Sequence, residues 1–319
     1  MNVVITGAAG FLGVRLTQAL LHDACPLPVH NLLLVDALAP PLPSSDPRVT
    51  TLAADLSAPG AAARVLPADA HVLFHLAAVV SGHAEADFEL GIRVNFDATR
   101  ALADEARRHN PTLRFVFAST VGVFGGTLPA VVDDGTVVTP QNSYGAAKVM
   151  CEVLLCEYAR RGFVDARVVR LPTVTVRAGA PNKAVTSFAS GIIREPLGGL
   201  PAVCPVDAEL RLWVASPACV VSNLVHAAAL RPGEVAARVV NLPGISVSVS
   251  EMLNALREVA GDQVASLVRF KRDDFIEKIV STFPNKFDNS RALQLGFTMD
   301  ENFAGIISTY IRDDLGLQI

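Results

Sequence analysis

Tyr144 and Lys148 lie four residues apart in the segment Asn142-Ser-Tyr-Gly-Ala-Ala-Lys148. At this spacing in a helix the two side chains share one face. A phenol with a pKa of about 10 is a poor base at neutral pH, and a nearby ammonium group favours its ionised form. The pair is therefore suited to taking a proton from an alcohol while another group accepts the hydride. The spacing alone is weak evidence, because such pairs occur by chance in many helices.

A glycine-rich segment near the start of the chain strengthens this interpretation. Gly7, Gly10 and Gly13 follow the apolar run Val3–Thr6 and lead into a predicted helix at Phe11–His22. Glycine allows a sharp turn and lets a pyrophosphate approach the backbone amides, while the positive end of the helix points at the phosphates. A plain tight turn is the alternative. Together with the Tyr–Lys pair, the glycines indicate hydride transfer to a nicotinamide cofactor.

Acidic residues after the second and third predicted strands fit the adenosine half of such a cofactor. Asp36 ends the second strand, where a carboxylate can accept both ribose hydroxyls and would repel a 2′-phosphate. The next arginine is Arg48, so NAD is favoured over NADP. Asp55 and Leu56 follow the third strand and can bind and cover the adenine. A solvated loop position is the alternative for Asp36, and a helix cap is the alternative for Asp55.

Two further strand ends supply small or hydroxylated residues. Ser119 and Thr120 end the fifth predicted strand, where a hydroxyl can hold a substrate oxygen near the tyrosine. His75 ends the fourth strand, and we expect it to be packed and hydrogen-bonded rather than catalytic. The small residues Ala77 and Ala78 let a cofactor pass close to the backbone.

Short apolar runs alternate with helical patterns along the chain. The predicted strands are Val3–Thr6, Leu32–Val35, Val49–Ala53, Val72–His75, Leu113–Ser119, Ala166–Leu171, Leu210–Val214 and Val239–Leu242. The predicted helices are Phe11–His22, Phe88–His109, Tyr144–Arg161, Ser187–Arg194, Ala218–Ala229 and Ser250–Ala260, the last capped by Ser250 and ended by Gly261. Such alternation is typical of an α/β protein with a doubly wound parallel sheet of the Rossmann type.

The pattern also predicts how the chain is divided. We expect an NAD-binding Rossmann domain over residues 1–172, to which residues 212–243 return. A smaller α/β substrate-binding portion on the C-terminal side is expected from residues 173–211 and 244–319.

The composition excludes several classes of protein. A net charge of −4 and a pI of about 6.0 give no basis for a nucleic-acid partner. The mean hydropathy of +0.39 is high, but the uncharged stretches Phe115–Val132 and Trp213–Leu230 contain too many polar residues, Gly and Pro to span a membrane. We expect no signal peptide. The five cysteines have no C-x-x-C spacing, which predicts reduced thiols in the cytoplasm, and no metal cluster is expected.

The motifs TGAAGFLG, Asp36, Asp55-Leu56, HLAA, ST-x-x-x-FG, YGAAK and RLPT occur in this order. The ordered set resembles the extended short-chain dehydrogenase/reductases of the NAD-dependent epimerase/dehydratase family. The resemblance assigns alcohol binding to Thr120, which lies four residues before Phe124-Gly125. It makes Tyr144 the base, and Lys148 the residue that binds the nicotinamide ribose and lowers the tyrosine pKa.

The same resemblance implies a set of NAD-binding residues. These are Gly7, Gly10, Phe11, Leu12, Gly13, Asp36, Asp55, Leu56, Ala77, Ala78, Asn95, Ser119, Tyr144, Lys148, Pro172 and Thr173. One departure concerns the substrate: nucleotide-sugar enzymes have an Arg-x-x-Asn run whose Asn touches the sugar diphosphate, and here the run ends at Thr173. Arg211 matches a family arginine that binds phosphate.

The segment from Arg167 to Lys183, with Ser187 and Ile192–Glu195 beyond it, resembles a branch of the family that acts on sugar acids. This likeness implies NAD-dependent oxidation at C2, from D-erythronate to 2-oxo-D-erythronate. It implies a substrate site made by Ser81, Thr120, Tyr144, Asn182, Lys183 and Arg211. Solvated loop charges are the alternative for Lys183 and Arg177.

Two other functions remain open at this point. A nucleotide-sugar 4-epimerase or dehydratase would use the same three catalytic residues but recycle a tightly held NAD. A non-catalytic NAD-binding regulator is disfavoured, because a binding protein has no need of a tuned base. The resemblance further implies a homodimer in which Phe88–His109 and Tyr144–Arg161 pair as a four-helix bundle.

Overall fold

The computed structural model describes residues 1–40, 46–181, 184–234 and 239–317. The strands are β1 (Asn2–Thr6), β2 (Asn31–Asp36), β3 (Val49–Ala53), β4 (Val72–His75), β5 (Arg114–Thr120), β6 (Asp165–Leu171), β7 (Thr173–Val174), β8 (Ala202–Cys204), β9 (Arg211–Ala215), β10 (Val239–Asn241), β11 (Ile245–Ser248) and β12 (Val268–Phe270). The α-helices are α1 (Phe11–Leu21), α2 (Ala61–Val65), α3 (Ser81–Ala86), α4 (Phe88–Ile92), α5 (Ala98–His109), α6 (Ser143–Arg160), α7 (Phe188–Leu197), α8 (Pro217–Ala229), α9 (Val249–Ala260), α10 (Asp262–Ala265), α11 (Asp274–Val280), α12 (Ser290–Gln294) and α13 (Phe303–Asp314).

The largest sheet has the strand order β10-β6-β5-β4-β1-β2-β3, and its neighbouring strands are parallel. Both faces are covered, which explains the continuous apolar runs of its strands. Leu16 of α1 and Leu224 of α8 pack on one face, and Leu102 of α5 and Leu155 of α6 pack on the other. The structure therefore confirms the predicted doubly wound Rossmann-type fold. The strand order reverses at β1, so the carboxyl ends of β1 and β4 border the crevice where such folds bind ligands.

A smaller portion lies beside this sheet. Within the described residues it holds the sheet β11-β9-β7 and the strand pair β12-β8. Its core includes Ile192 of α7, Leu256 of α9 and Ile307 of α13. Strand β10 pairs with β6 of the large sheet, whereas β9 pairs with β7 and β11. The division of the chain into residues 1–172 plus 212–243 and the remainder stays a prediction.

Two helices differ from the sequence-based expectation. The predicted single helix Phe88–His109 consists of α4, a π-helical turn at Arg93–Asp97 and α5. The predicted cap of Ser250 is wrong, because α9 begins at Val249 and its cap is Ser248, two positions earlier. The Ser248 hydroxyl and the Glu251 carboxylate form a reciprocal capping box. None of the helices in the described ranges has the length and apolar character needed to cross a membrane.

Candidate active site

A cleft of about 850 Å³ lies at the carboxyl ends of the large sheet. Most of the predicted site residues line it. They are Gly7, Gly10, Phe11, Leu12, Gly13, Asp36, Asp55, Leu56, Ala77, Ala78, Ser81, Ser119, Thr120, Tyr144, Lys148, Pro172 and Thr173. Residues that are far apart in the sequence meet here because parallel strands end at the same edge of the sheet.

The glycine loop between β1 and α1 requires its glycines. Gly7 has a φ of +76°, and a Cβ atom placed on it would lie 2.6 Å from the backbone nitrogen of Ala77. A Cβ on Gly13 would overlap the carbonyl oxygen of Gly7. In the described residues no side chain caps α1 at Gly10, and the first amides of a helix have no acceptor within the helix. The loop therefore presents backbone donors to the cleft, which fits a pyrophosphate.

The two predicted acidic residues are held by local hydrogen bonds. The carboxylate of Asp36 accepts from the amide of Ala9 at 2.9 Å and from the amide of Ala37 at 2.7 Å. A carboxylate has about four lone-pair positions, so acceptor capacity remains for ribose hydroxyls. Asp55 accepts from the hydroxyl and the amide of Ser57, and these hydrogen bonds hold its pKa below the usual range.

Helix α6 presents Tyr144 and Lys148 to the same cleft. Its first turn is capped by Asn142, whose side-chain oxygen accepts from the amide of Gly145 at 2.8 Å. A Cβ on Gly145 would overlap the carbonyl oxygen of Gly122, so the helix start packs against the 3₁₀ turn that follows Thr120. The Thr120 hydroxyl accepts from the amide of Gly122 at 3.0 Å. This packing explains why Thr120 and Tyr144 border the cleft together.

Lys148 is buried beneath the tyrosine. Its Nζ donates to the carbonyl of Ala118 at 2.8 Å and lies 5.6 Å from the centroid of the Tyr144 ring. Burial lowers the pKa of Lys148 to about 8 and raises the pKa of Tyr144 to about 12. Both shifts favour the neutral forms. In the protein without cofactor, burial therefore outweighs the expected lowering of the tyrosine pKa by the ammonium group.

A buried ion pair lies near Lys148 and was not predicted from the sequence. Glu152 and Arg170 are 4% and 8% exposed, and Arg170 donates to Glu152 through Nη2 at 2.6 Å and through Nε at 3.0 Å. The hydroxyl of Ser119 also donates to Glu152. Ser119, which was predicted to bind the cofactor, thus donates its hydroxyl hydrogen to a side chain of the protein. The spacing of Glu152, four residues after Lys148 on the same helix, is the signal that was available in the sequence.

His75 is buried between two strands and a helix, as expected. Its ring nitrogens lie 2.6 Å from the hydroxyl of Thr6 and 2.8 Å from the hydroxyl of Thr99. Burial and the charge of Lys148 lower the pKa of His75 to about 3. The ring is therefore neutral and structural.

Among the described residues, two of those predicted for the site, Arg211 and Asn95, do not line the cleft. Arg211 is exposed and pairs with Glu251 at 2.9 Å. The buried amide of Asn95 bonds both backbone groups of Val79, so it supports the loop that lines the cleft. Asn182 and Lys183 lie outside the described residues.

Arg177 was assigned no role by sequence reasoning but lines the cleft. Its backbone amide donates to the hydroxyl of Ser190 at 3.1 Å, and its Cζ lies 5.5 Å from the centroid of the Phe11 ring. Burial, together with the charge of Arg194, lowers the pKa of Arg177 to about 10. The side chain is thus half-buried rather than a solvated loop charge. Across the described part of the chain, no group of His, Cys, Asp and Glu is arranged to hold a metal.

Comparison with known proteins shows the family of the chain. Residues 3–213 match the model of the NAD dependent epimerase/dehydratase family, and the chain belongs to that family. It is 45% identical over 316 residues to D-erythronate dehydrogenase of Haemophilus influenzae, covering 99% of this chain and 100% of that protein. It is 49% identical over 320 residues to D-erythronate dehydrogenase of Cupriavidus necator, with 98% of each chain covered.

Among solved structures, the fold is similar to that of the nucleoside-diphosphate-sugar epimerase from Agrobacterium tumefaciens. The TM-score is 0.94 at 42% identity, covering 99% of this chain and 95% of that one. With the near full-length relatives, these findings identify the chain as an NAD-dependent dehydrogenase acting on a CH–OH group. The glycine loop and Asp36 fit that cofactor.

Proposed function

We propose that the protein oxidises D-erythronate at C2 to 2-oxo-D-erythronate with NAD⁺. The observation that carries the proposal is that Thr120, Tyr144 and Lys148 border one cleft together with the glycine loop. The names of the two relatives support the choice of substrate. A triad built for proton transfer also argues against a non-catalytic NAD-binding regulator.

In the proposed reaction, Thr120 and Tyr144 hydrogen-bond the C2 hydroxyl of the acid. Tyr144, as phenolate, takes the hydroxyl proton as the C2–H bond breaks. NAD⁺, which the glycine loop and Asp36 would hold, would supply the hydride acceptor and a positive charge. The products are the 2-oxo acid, NADH and a neutral Tyr144, which returns its proton to solvent. Holding the two reactants together supplies much of the remaining acceleration.

The energetics of the base require two positive charges. Lowering the tyrosine pKa from about 12 to about 7 needs roughly 7 kcal/mol, at about 1.4 kcal/mol per pKa unit. A unit charge about 4 to 6 Å away contributes about 3 to 4 kcal/mol at an effective dielectric constant of about 20. The Lys148 ammonium therefore supplies only part of the required free energy, and the cationic nicotinamide of NAD⁺ would supply the rest.

Tyr144→Phe tests the assignment. Purified protein is incubated with NAD⁺ and either D-erythronate or L-threonate, and NADH formation is followed by absorbance. We expect NADH from D-erythronate, with turnover lowered by about 10²- to 10⁴-fold in Tyr144→Phe. Binding of NADH, measured by fluorescence, should be unchanged in the variant. Near-normal turnover in Tyr144→Phe would remove Tyr144 from the mechanism.

A nucleotide-sugar 4-epimerase or dehydratase is the second candidate, and the structural similarity to the Agrobacterium nucleoside-diphosphate-sugar epimerase favours an epimerase. Such an enzyme returns the hydride to its substrate and releases no NADH. Thr173, in place of the asparagine of related nucleotide-sugar enzymes, weakens this candidate. Interconversion of a nucleotide sugar without NADH release, and no NADH from any acid, would establish it.

We further propose that the protein is a cytoplasmic homodimer. None of the five cysteines forms a disulfide in the structure, which is consistent with a reducing compartment. Helices α5 and α6 lie side by side, since the Tyr158 hydroxyl donates to Asp104 at 2.8 Å. Helix α6 presents the exposed apolar side chains of Met150 and Val153 to a partner helix.

A further inference from the structure

The cleft contains more positive charge than the catalytic set uses. Among its described lining residues, the cationic side chains are Arg93, Lys148, Arg177 and Arg194. Lys148 serves Tyr144. Arg93 lies at the adenosine end, where its charge lowers the pKa of Asp55. The remaining two, Arg177 and Arg194, lie next to each other, and Arg177 also lies near the ring of Phe11.

Arg194 and Arg177 differ in their partners. Arg194 pairs with Glu195 at 2.6 Å and donates to the backbone carbonyl of Arg177 at 2.9 Å. Arg177 has no carboxylate partner within the described residues, and its one side-chain hydrogen bond there is a long 3.4 Å contact from Nε to the Ser190 hydroxyl. Its Nη2 is enclosed and has no hydrogen-bond partner in this part of the chain.

An enclosed guanidinium nitrogen without an acceptor is costly. The neighbouring charge of Arg194 adds repulsion, which is one cause of the lowered pKa of Arg177. An anion entering the cleft would relieve both costs. A guanidinium group is well suited to a carboxylate, which it can bind through two parallel hydrogen bonds.

We propose that Arg177 binds the carboxylate of the substrate and so selects acids over neutral polyols. This inference rests on the proposed function and adds the residue that determines its specificity. The cofactor phosphates are the other anion in reach, because Phe11 begins α1. The glycine loop and the start of α1 already supply donors to those phosphates, whereas no other described cation of the cleft is left for the carboxylate.

The test compares D-erythronate with its carboxamide, which has the same hydroxyls and no charge. At saturating NAD⁺, Arg177→Gln should lower kcat/KM for the acid by about 100-fold, the loss expected for two charge-assisted hydrogen bonds. Its kcat/KM for the amide should change by less than about 3-fold, and the KM for NAD⁺ should stay the same. Arg93→Gln, which removes a cation from the other end of the cleft, should keep the wild-type ratio of acid to amide.

Two results would overturn the proposal. One is an unchanged acid-to-amide ratio in Arg177→Gln. The other is a raised KM for NAD⁺ with equal losses for both substrates, which would assign Arg177 to the cofactor phosphates. If thermal melting shows that Arg177→Gln does not fold, Arg177→Lys replaces it in the test. Lysine keeps the charge but loses the paired hydrogen bonds, so the ratio of kcat/KM for the acid to that for the amide should fall by a smaller factor.

A binding measurement distinguishes failure of the proposed oxidation from failure of the carboxylate site. If the wild-type protein oxidises neither compound, binding of D-erythronate and its amide to the NADH complex is measured by cofactor fluorescence. Saturable binding of the acid that is lost in Arg177→Gln would support the carboxylate site even without turnover. Equal binding of acid and amide by the wild-type protein would overturn it.

Discussion

At the scale of single residues, burial affects Tyr144 and Lys148 in a way that the sequence did not indicate. It raises the pKa of the phenol to about 12 and lowers that of the ammonium group to about 8. Spacing on a helix shows that two side chains meet, but it does not show how much water surrounds them. The proposed base, Tyr144, therefore needs positive charge nearby in order to ionise.

Lys148→Met should therefore change the pH dependence of the reaction. Activity rises with pH as Tyr144 ionises, and the Lys148 ammonium group lowers the pH at which this occurs. Without it, the rising limb of kcat/KM at saturating NAD⁺ should move up by about 1 to 3 pH units, the shift that a close opposite charge produces. The pH profile of each variant measures this. Lys278→Met, on α11, should keep the wild-type profile, and an unmoved limb in Lys148→Met would contradict the role of Lys148.

The arginines show where residue-level prediction stops. Arg211 matched a motif position, yet it pairs with Glu251 at the surface. Arg177 lies in a stretch rich in Gly and Pro that resembles a solvated loop, yet it lines the cleft. The strand-end residues were predictable because sheet topology dictates their meeting. The arginines were not, because their positions depend on how the smaller portion packs over Phe11.

At the scale of elements, α6 carries Tyr144 and Lys148 together with Glu152, one partner of a buried ion pair. Glu152→Gln would leave the Arg170 guanidinium buried without a charge partner, although the Gln amide still accepts a hydrogen bond. We expect a loss of about 3 to 5 kcal/mol in the free energy of unfolding, measured by urea denaturation. Glu157→Gln removes an exposed partner of Arg160 from the same helix, and its effect should be much smaller because water screens that pair. Similar losses in both variants would contradict this account.

Strand β4 carries an acid-sensitive side chain. The folded-state pKa of His75 is about 3, below its ordinary value of 6.5, so the unfolded chain binds the proton first as pH falls. The stability associated with the neutral ring is present above about pH 6.5 and is lost progressively toward pH 3. Between about pH 7 and pH 5 this amounts to about 2 kcal/mol.

His75→Gln should remove that part of the acid sensitivity, because glutamine can bond both threonines without titrating. The measurement is the difference in unfolding free energy between the two pH values, so a uniform destabilisation by the substitution does not affect it. His109→Gln, at an exposed position of α5, should retain the wild-type difference. An undiminished difference in His75→Gln would show that other groups cause the acid sensitivity.

The bounds of β3 and β4 are those that the sequence predicted. The exceptions have local causes. The sequence pattern over Phe88–His109 is that of one continuous helix, but a π-helical turn at Arg93–Asp97 interrupts it. This turn contains Asn95, whose side chain bonds the backbone of Val79. Two serines, Ser248 and Ser250, stand at the start of α9, and only the reciprocal bond with Glu251 distinguishes the cap.

At the scale of the whole molecule, an apolar surface on α6 and α4 remains to be explained. Val153 is 65% exposed, Met150 39% and Phe88 57%. Val153 and Met150 lie three residues apart on one face of α6, which suits packing against a second copy of the helix pair. The dimer proposed above would bury this face.

Val153→Glu should dissociate that dimer, because burying an unpaired carboxylate in a helix interface is strongly unfavourable. Light scattering should show the mass fall from twice that of the chain to the chain mass of 33.7 kDa. Val203→Glu places the same charge at a valine of β8 that is 55% exposed, away from α6, and should leave the mass unchanged. Each catalytic set described above comes from a single chain, so the Val153→Glu monomer should retain turnover. A wild-type mass of one chain, or a Val153→Glu protein of unchanged dimeric mass, would exclude this face as the interface.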